Sequence, residues 1–263
     1  MNRSKGFKVL TATVWAAMFV GCNGIGGHSV ELSKQSGDTV YIHDTIKAMP
    51  DGEFVYNLPC KVINIHQEQE GKSLLFIWLH GGVHDRQRYD LLDDNPKDCP
   101  SHLDCCAADD SVVNYLKEKN MKAVALLPIC HKAENSNCVD WKACYGDVMR
   151  MIRDYVDKGI VDSRRIYLAG SSDGGAGTWD YLQMSEHVFA AAMPMSCGNP
   201  RKTTIPVYFF NTQAEPDCTS QVNALNQQGS HIEYKHSPAK WHGRDDIEIT
   251  HAFLDRFFSN VKN

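Results

Sequence analysis

The sequence predicts an α/β fold in which a mostly parallel central sheet carries helices on both faces. Three observations lead there. Strand-like and helix-like segments alternate from residue 40 to the end of the chain, the order expected of strands joined by helical crossovers. The stretch LLFIWLH, Leu74 to His80, is apolar up to its final residue, as strands are when both of their faces are buried. Finally, RIYLAG runs directly into a glycine-rich turn and a helix-forming segment. Such strand-to-helix turns lie at the carboxyl edge of a parallel sheet, where ligands bind.

The elements follow in order. VYIHDTIKAM and FVYNLPCKVINI read as two early strands joined by a turn around Pro50-Asp51-Gly52, and LLFIWLH is the next strand. Asp110 and Ser111 stand where they can cap a helix bearing Val112, Val113 and Leu116, and KAVALLP follows as a strand. Trp141, Cys144, Val148, Met151, Ile152 and Tyr155 then share one helical face, which Gly159 ends. After RIYLAG come a helix from about Gly174, the strands FAAAMPMSC and IPVYFFNT, a helix through Val222 and Leu225, and the strand HIEYKH. A last helix holds Ile247, Leu254, Phe257 and Phe258. With 263 residues, 43% hydrophobic and 22% charged, the chain suits one large α/β domain or two small ones. The Asp-, Pro- and Cys-rich stretch from Val83 to Ala108 is too long for a simple connection and is expected to form a rim or lid over the carboxyl edge.

The N-terminus has a basic start (Arg3, Lys5, Lys8) and an apolar run from Val9 to Val20. This is the pattern of a secretory signal peptide, too short to span a bilayer as a mature helix. Phe19-Val20-Gly21-Cys22 resembles a bacterial lipobox, in which the cysteine is lipidated and becomes the new N-terminus. The expected organisation is therefore a signal peptide over 1–21, a tether over 22–38 and a single catalytic-type domain over 39–263. The expected location is an outer-membrane lipoprotein, exported and anchored at Cys22, facing the periplasm or the cell surface. Export would expose the remaining cysteines to oxidation. Plausible pairs are Cys99 with Cys105 or Cys106, Cys130 with Cys138, and Cys197 with Cys218. The cluster CPSHLDCC could also be read as zinc ligands, but its spacing is not a standard zinc pattern, so no metal is expected. A net charge of -5 leaves no basic footprint for nucleic acid.

Gly170-Ser171-Ser172-Asp173-Gly174 satisfies G-x-S-x-G with Ser172 at its centre. At a sharp strand-to-helix turn the flanking positions must be small, and the serine hydroxyl is presented beside the positive end of a helix. Ser171 does not fit the glycine spacing. A nucleophilic serine needs an imidazole base, and the base needs a carboxylate to hold its tautomer. His242 lies in a loop before the final helix, whereas its rival His236 falls on the preceding strand. The loop QAEPDCT after IPVYFFNT offers two acids, Glu215 and Asp217. His80-Gly81-Gly82 follows a buried strand and can present the N–H of Gly82 to an oxyanion, with the N–H of Asp173 as second donor. His80 itself is read as a brace for that loop, and the Asp173 carboxylate as pointing away from it.

Together these segments resemble the α/β-hydrolases, and among them the secreted polyhydroxybutyrate depolymerase, feruloyl esterase and acetyl xylan esterase group, with the neighbouring prolyl-oligopeptidase-like peptidases. The likeness runs from about Phe54 to Phe258. It is carried by LFIWLHGG, by GIVDSRRIYLAGSSDGGAGTWDYL with its Gly-Thr-Trp, and by IPVYFFNTQAEPDCT. Asn211-Thr212 stand where that group has His-Gly, and Glu215-Pro216 where it has Asp-Pro. Alignment on the proline favours Glu215 as the acid and leaves Asp217 open. The resemblance implies an α/β-hydrolase fold and an exported serine esterase without cofactor. Its substrate would be a small-molecule or carbohydrate ester, such as an acylated polysaccharide or fragment, with Trp179 and Trp241 contacting it. A small serine peptidase and a catalytically silent binding lipoprotein remain the alternatives.

Overall fold

The structure, a computed structural model, describes residues 29–36, 39–45, 58, 60–82, 108–128, 130, 138–242 and 248–262. Its strands are β1 (Ser29–Ser36), β2 (Thr39–Thr45), β3 (Cys60–Ile65), β4 (Ser73–Leu79), β5 (Ala123–Pro128), β6 (Val161–Ser171), β7 (Ala191–Met195), β8 (Pro206–Asn211) and β9 (His231–His236). Its helices are α1 (Ala108–Glu118), α2 (Trp141–Asp157), α3 (Asp173–Ser185), α4 (Thr219–Gln227) and α5 (His251–Ser259), with a 3₁₀ turn at Glu186–Val188. The strands form one sheet in the order β1-β2-β3-β5-β4-β6-β7-β8-β9. The first three neighbours pair antiparallel and all the later ones parallel.

Alternation along the central strands makes two cores. Leu75, Ile77 and Leu79 of β4 face one side with Val148 and Ile152 of α2 and Trp179 and Leu182 of α3. Leu74, Phe76 and Trp78 face the other side with Val112 and Leu116 of α1 and Leu254, Phe257 and Phe258 of α5. Every residue of β4 is buried, which is why its sequence shows no polar alternation. The carboxyl ends of β4, β6, β8 and β9 therefore emerge side by side at one edge, each handing the chain to a loop there.

Two expectations change. Ser29–Ser36, expected within a tether, is strand β1, paired antiparallel with β2. Strand pairing uses backbone amides, and an outer strand needs no apolar run to announce it. Helix α1 begins at Ala108, so Asp110 and Ser111 lie inside its first turn rather than before it. Asp140 does cap a helix, accepting from the N–H of Lys142 at 3.0 Å and of Ala143 at 3.3 Å. The expected signal segment, Cys22, the turn at Pro50-Asp51-Gly52, residues 83–107 of the expected rim, and Ile247 all lie outside the described residues. Among the described residues, no helix is long and apolar enough to cross a membrane.

Candidate active site

At the end of β6 the chain reverses into α3 through Ser172, whose φ of 58° and ψ of -120° lie outside the regions an L-residue ordinarily occupies. The Ser172 N–H donates to Met195 O at 2.9 Å, and its carbonyl accepts from Ala176 N at 3.0 Å. The flanking glycines are required by contact. A Cβ on Gly174 would sit 1.8 Å from Leu79 O, and one on Gly170 would sit 2.4 Å from Gly174 O. The turn therefore packs against the end of β4 and leaves the Ser172 side chain at the N-terminus of α3, where the helix dipole favours negative charge.

The loop after β4 lies beside that hydroxyl, since a Cβ on Gly81 would come within 3.7 Å of Ser172 Oγ. His80 is buried, and both of its ring nitrogens and its carbonyl are engaged. Nε2 accepts from the Cys130 N–H at 3.0 Å, so Nδ1 carries the proton and donates to Gly81 O at 2.7 Å. Its carbonyl accepts from Trp141 Nε1 at 3.0 Å. In a trans peptide the N–H points opposite to the carbonyl. Anchoring Gly81 O on the imidazole therefore fixes the direction of the Gly82 N–H. The Asp173 carboxylate accepts from the Val139 N–H at 2.9 Å, so its side chain is engaged with the segment before α2 while its own N–H stands at the first turn of α3.

The loops after β8 and β9 supply the base and acid. They are tied together by Ser237 N donating to Asn211 O at 2.6 Å and Gln213 N donating to Ala239 O at 2.8 Å. His242 Nε2 lies 2.8 Å from Ser172 Oγ, and Nδ1 lies 2.5 Å from Glu215 Oε1. With the carboxylate accepting from Nδ1–H, Nε2 is left free to accept from the serine hydroxyl. Glu215 is 7% exposed and His242 54%. The second oxygen of Glu215 accepts from the N–H and the hydroxyl of Thr212, both at 2.7 Å. That bond folds the longer side chain back on its own loop and directs the other oxygen at His242. Such an array can take a proton from Ser172 as its oxygen attacks, and return it to a leaving group.

Of the residues singled out in the sequence, Ser172, His242 and Glu215 are thus brought together. Asp217 is not among them. Its Oδ1 accepts from Thr219 N and Thr219 Oγ1 at the start of α4, and these bonds hold its carboxyl below the ordinary range. His236 lies at the end of β9 and donates from Nε2 to Thr212 O at 2.7 Å. Trp241 is 76% exposed next to His242, whereas Trp179 is 1% exposed and packs edge-on against Phe209. Trp179 faces the sheet from α3 and offers nothing to a substrate. Thr212 was missed. Its signal was the Thr-x-x-Glu spacing from Thr212 to Glu215, in which the glutamate reaches back to the threonine N–H as it does in a helix capping box, here in a turn. Among the described residues no cluster of three or more metal-ligating side chains occurs, and Cys99, His102, Cys105 and Cys106 lie outside them.

The two cysteine pairings that fall within the described residues are not made. Cys138 is exposed and Cys130 buried, and Cys130 Sγ lies against Cys144 Sγ instead. Cys197 and Cys218 are both buried and are not joined to each other; the Asn211 amide is bonded to each side, its Oδ1 accepting from Cys197 N at 3.0 Å and its Nδ2 approaching Cys218 Sγ at 3.7 Å.

Solved structures place this architecture. A thermostable esterase superposes with a TM-score of 0.58 at 20% identity, covering 85% of this chain and 63% of that one. A fluorophosphonate-binding serine hydrolase of Staphylococcus aureus, with substrate bound, superposes with a TM-score of 0.56 at 12% identity, covering 84% of this chain and 98% of that one. The chain has the α/β-hydrolase fold. Est1E from Butyrivibrio proteoclasticus, with ferulic acid bound, is a third such structure, with a TM-score of 0.52, 14% identity, and coverage of 78% and 96%. The chain spans less than two thirds of the thermostable esterase. No family model matches the sequence, and no curated protein matches it. Within the α/β-hydrolase fold, the carboxyl edge where Ser172, His242 and Glu215 meet is the edge at which parallel sheets bind ligands.

Proposed function

We propose that this chain is a serine esterase that hydrolyses carboxylic esters through an acyl-enzyme. The observation that carries the reading is the unbroken line of hydrogen bonds from Glu215 through His242 to Ser172, at 2.5 and 2.8 Å. Ser172 Oγ attacks the ester carbonyl as His242 Nε2 takes its proton. The oxyanion that forms is held by the N–H groups of Gly82 and Asp173, a kind of donor worth about 10²–10³-fold in rate. Glu215 holds the tautomer and stabilises the imidazolium. His242 then gives its proton to the departing alkoxide, and a water it deprotonates releases the acid. No step calls for a cofactor.

The finer reading is an exported lipoprotein, anchored through Cys22 to the outer membrane, with oxidised cysteines and an acylated polysaccharide or its fragments as substrate. Its supports are the signal-like N-terminus, the solved neighbours named for esterases and one bound to ferulic acid, and the exposed Trp241 indole beside His242, on which a flat aromatic or sugar ring can stack. A panel of acetyl, feruloyl and longer acyl esters, run beside peptide amides, tests it. Turnover of acetyl or feruloyl carbohydrate esters, abolished in Ser172→Ala, is the expected result. Turnover of peptide amides alone would make the chain a peptidase, and no turnover of any ester or amide would make it a silent binding protein.

A further inference from the structure

We infer that Cys130 and Cys144 form a disulfide that clamps the loop carrying His80. The two Sγ atoms lie 2.7 Å apart, inside the ordinary contact distance of unbonded sulfurs and about 0.7 Å from bonding length. Both residues are buried, at 1% and 4% exposure, so neither sulfur is directed to solvent. The other described cysteines are placed differently: Cys138 is exposed, Cys60 lies within β3, and Cys197 and Cys218 bracket the Asn211 amide.

The position of the pair gives the bond its consequence. Cys130 donates its N–H to His80 Nε2, while Trp141, one helical turn before Cys144 on α2, donates its indole N–H to His80 O. The disulfide therefore joins covalently the two segments that hold His80, one at its ring and one at its carbonyl. His80 in turn holds Gly81 O and so the direction of the Gly82 N–H. The bond itself depends on no activity; only its value to an oxyanion donor rests on the esterase reading.

The bond forms by thiol–disulfide exchange with an oxidised partner, either a small-molecule disulfide or a dithiol oxidoreductase. One cysteine thiolate attacks the partner's disulfide, giving a mixed disulfide and releasing one partner thiol. The second cysteine, losing its proton, attacks the mixed disulfide and releases the other thiol. The chain loses two electrons and two protons, which the partner gains. Because both sulfurs are buried in the folded chain, the exchange occurs before α2 has packed down.

The full chain, folded in a glutathione redox buffer, is denatured with N-ethylmaleimide present, digested without reduction and mapped by mass spectrometry. The expected product is a peptide pair linked through Cys130 and Cys144. A 14-residue separation also predicts that reductant lowers the wild-type Tm by about 6–12 °C more than it lowers that of Cys144→Ala. Recovery of both cysteines as maleimide adducts, linkage of either to a different cysteine, or an equal reductant effect on the two proteins would overturn the inference. None of these readouts involves hydrolysis, so an inactive chain could still carry the clamp, and an active esterase could lack it.

Discussion

The turn at Gly170–Gly174 and the loops carrying Glu215 and His242 converge on one hydroxyl, yet different forces hold them. Around Ser172 the constraint is steric: a Cβ at Gly174 would overlap Leu79 O at 1.8 Å, and the serine backbone is kept in a left-handed conformation by its neighbours. Around His242 the constraint is polar. The imidazole is half exposed and is oriented by Glu215, which is itself oriented by Thr212. The nucleophile is thus built into the sheet, whereas the base and acid hang from it on hydrogen bonds. Changes in the first region should cost folding, and changes in the second should cost rate.

The largest expected effect is on the polar side. His242→Ala lowers kcat on an ester substrate by about 10⁶-fold, while its thermal unfolding stays near that of the wild type. The two acids sharpen the comparison further. Glu215→Ala lowers kcat by about 10⁴-fold, whereas Asp217→Ala, in the same loop, leaves it within about a factor of two. Parallel kcat measurements on the two variants check this, and equal losses would mean that the loop rather than the carboxylate matters.

Gly174→Ala tests the steric side. It is expected to destabilise the fold by more than about 4 kcal/mol, read as loss of soluble protein or of a cooperative melt, with activity falling only in step. A smaller loss is expected at Thr212→Val, which removes one of the two bonds holding Glu215 Oε2. That variant should lose about 10-fold in kcat with little change in KM.

The smallest effect lies away from the site. Burial pushes Glu186 up, but hydrogen bonds from Thr204 N, Thr204 Oγ1 and Thr203 Oγ1 outweigh it and hold its carboxyl below 4.5. A carboxylate with a lowered folded pKa stabilises above its unfolded value and loses that contribution as pH falls through the folded one. Wild type should therefore melt above Glu186→Gln near neutral pH, with the gap closing as pH drops below 4.5. A gap that does not vary with pH would show that packing, not charge, joins the 3₁₀ turn to Thr203 and Thr204.

What the sequence made legible follows the same division. A buried parallel strand such as β4 shows itself as an apolar run, and the glycines around Ser172 mark a steric need that only small residues meet. Between Glu215 and Asp217 the sequence favoured Glu215 only through alignment on Pro216, because both lie in one short loop and what separates them physically is a fold-back onto Thr212. Trp179 was misread because its nearness to Ser172 in sequence says nothing about which face of α3 it occupies, and that face turns to the sheet. The Cys130–Cys144 approach depends on how α2 docks, so short sequence separation pointed to Cys138 instead. β1 was passed over because its alternation, Val30 and Leu32 among polar residues, stops after two apolar positions, and strand pairing at a sheet's outer edge asks for no longer run.

The central claim is that Ser172 is an activated nucleophile, and covalent labelling tests it most directly. The folded chain is treated with a fluorophosphonate and its peptides are mapped by mass spectrometry. The account predicts one adduct, on Ser172, absent in Ser172→Ala and formed far more slowly in His242→Ala. An unlabelled wild type, or label that persists undiminished in Ser172→Ala, would contradict it.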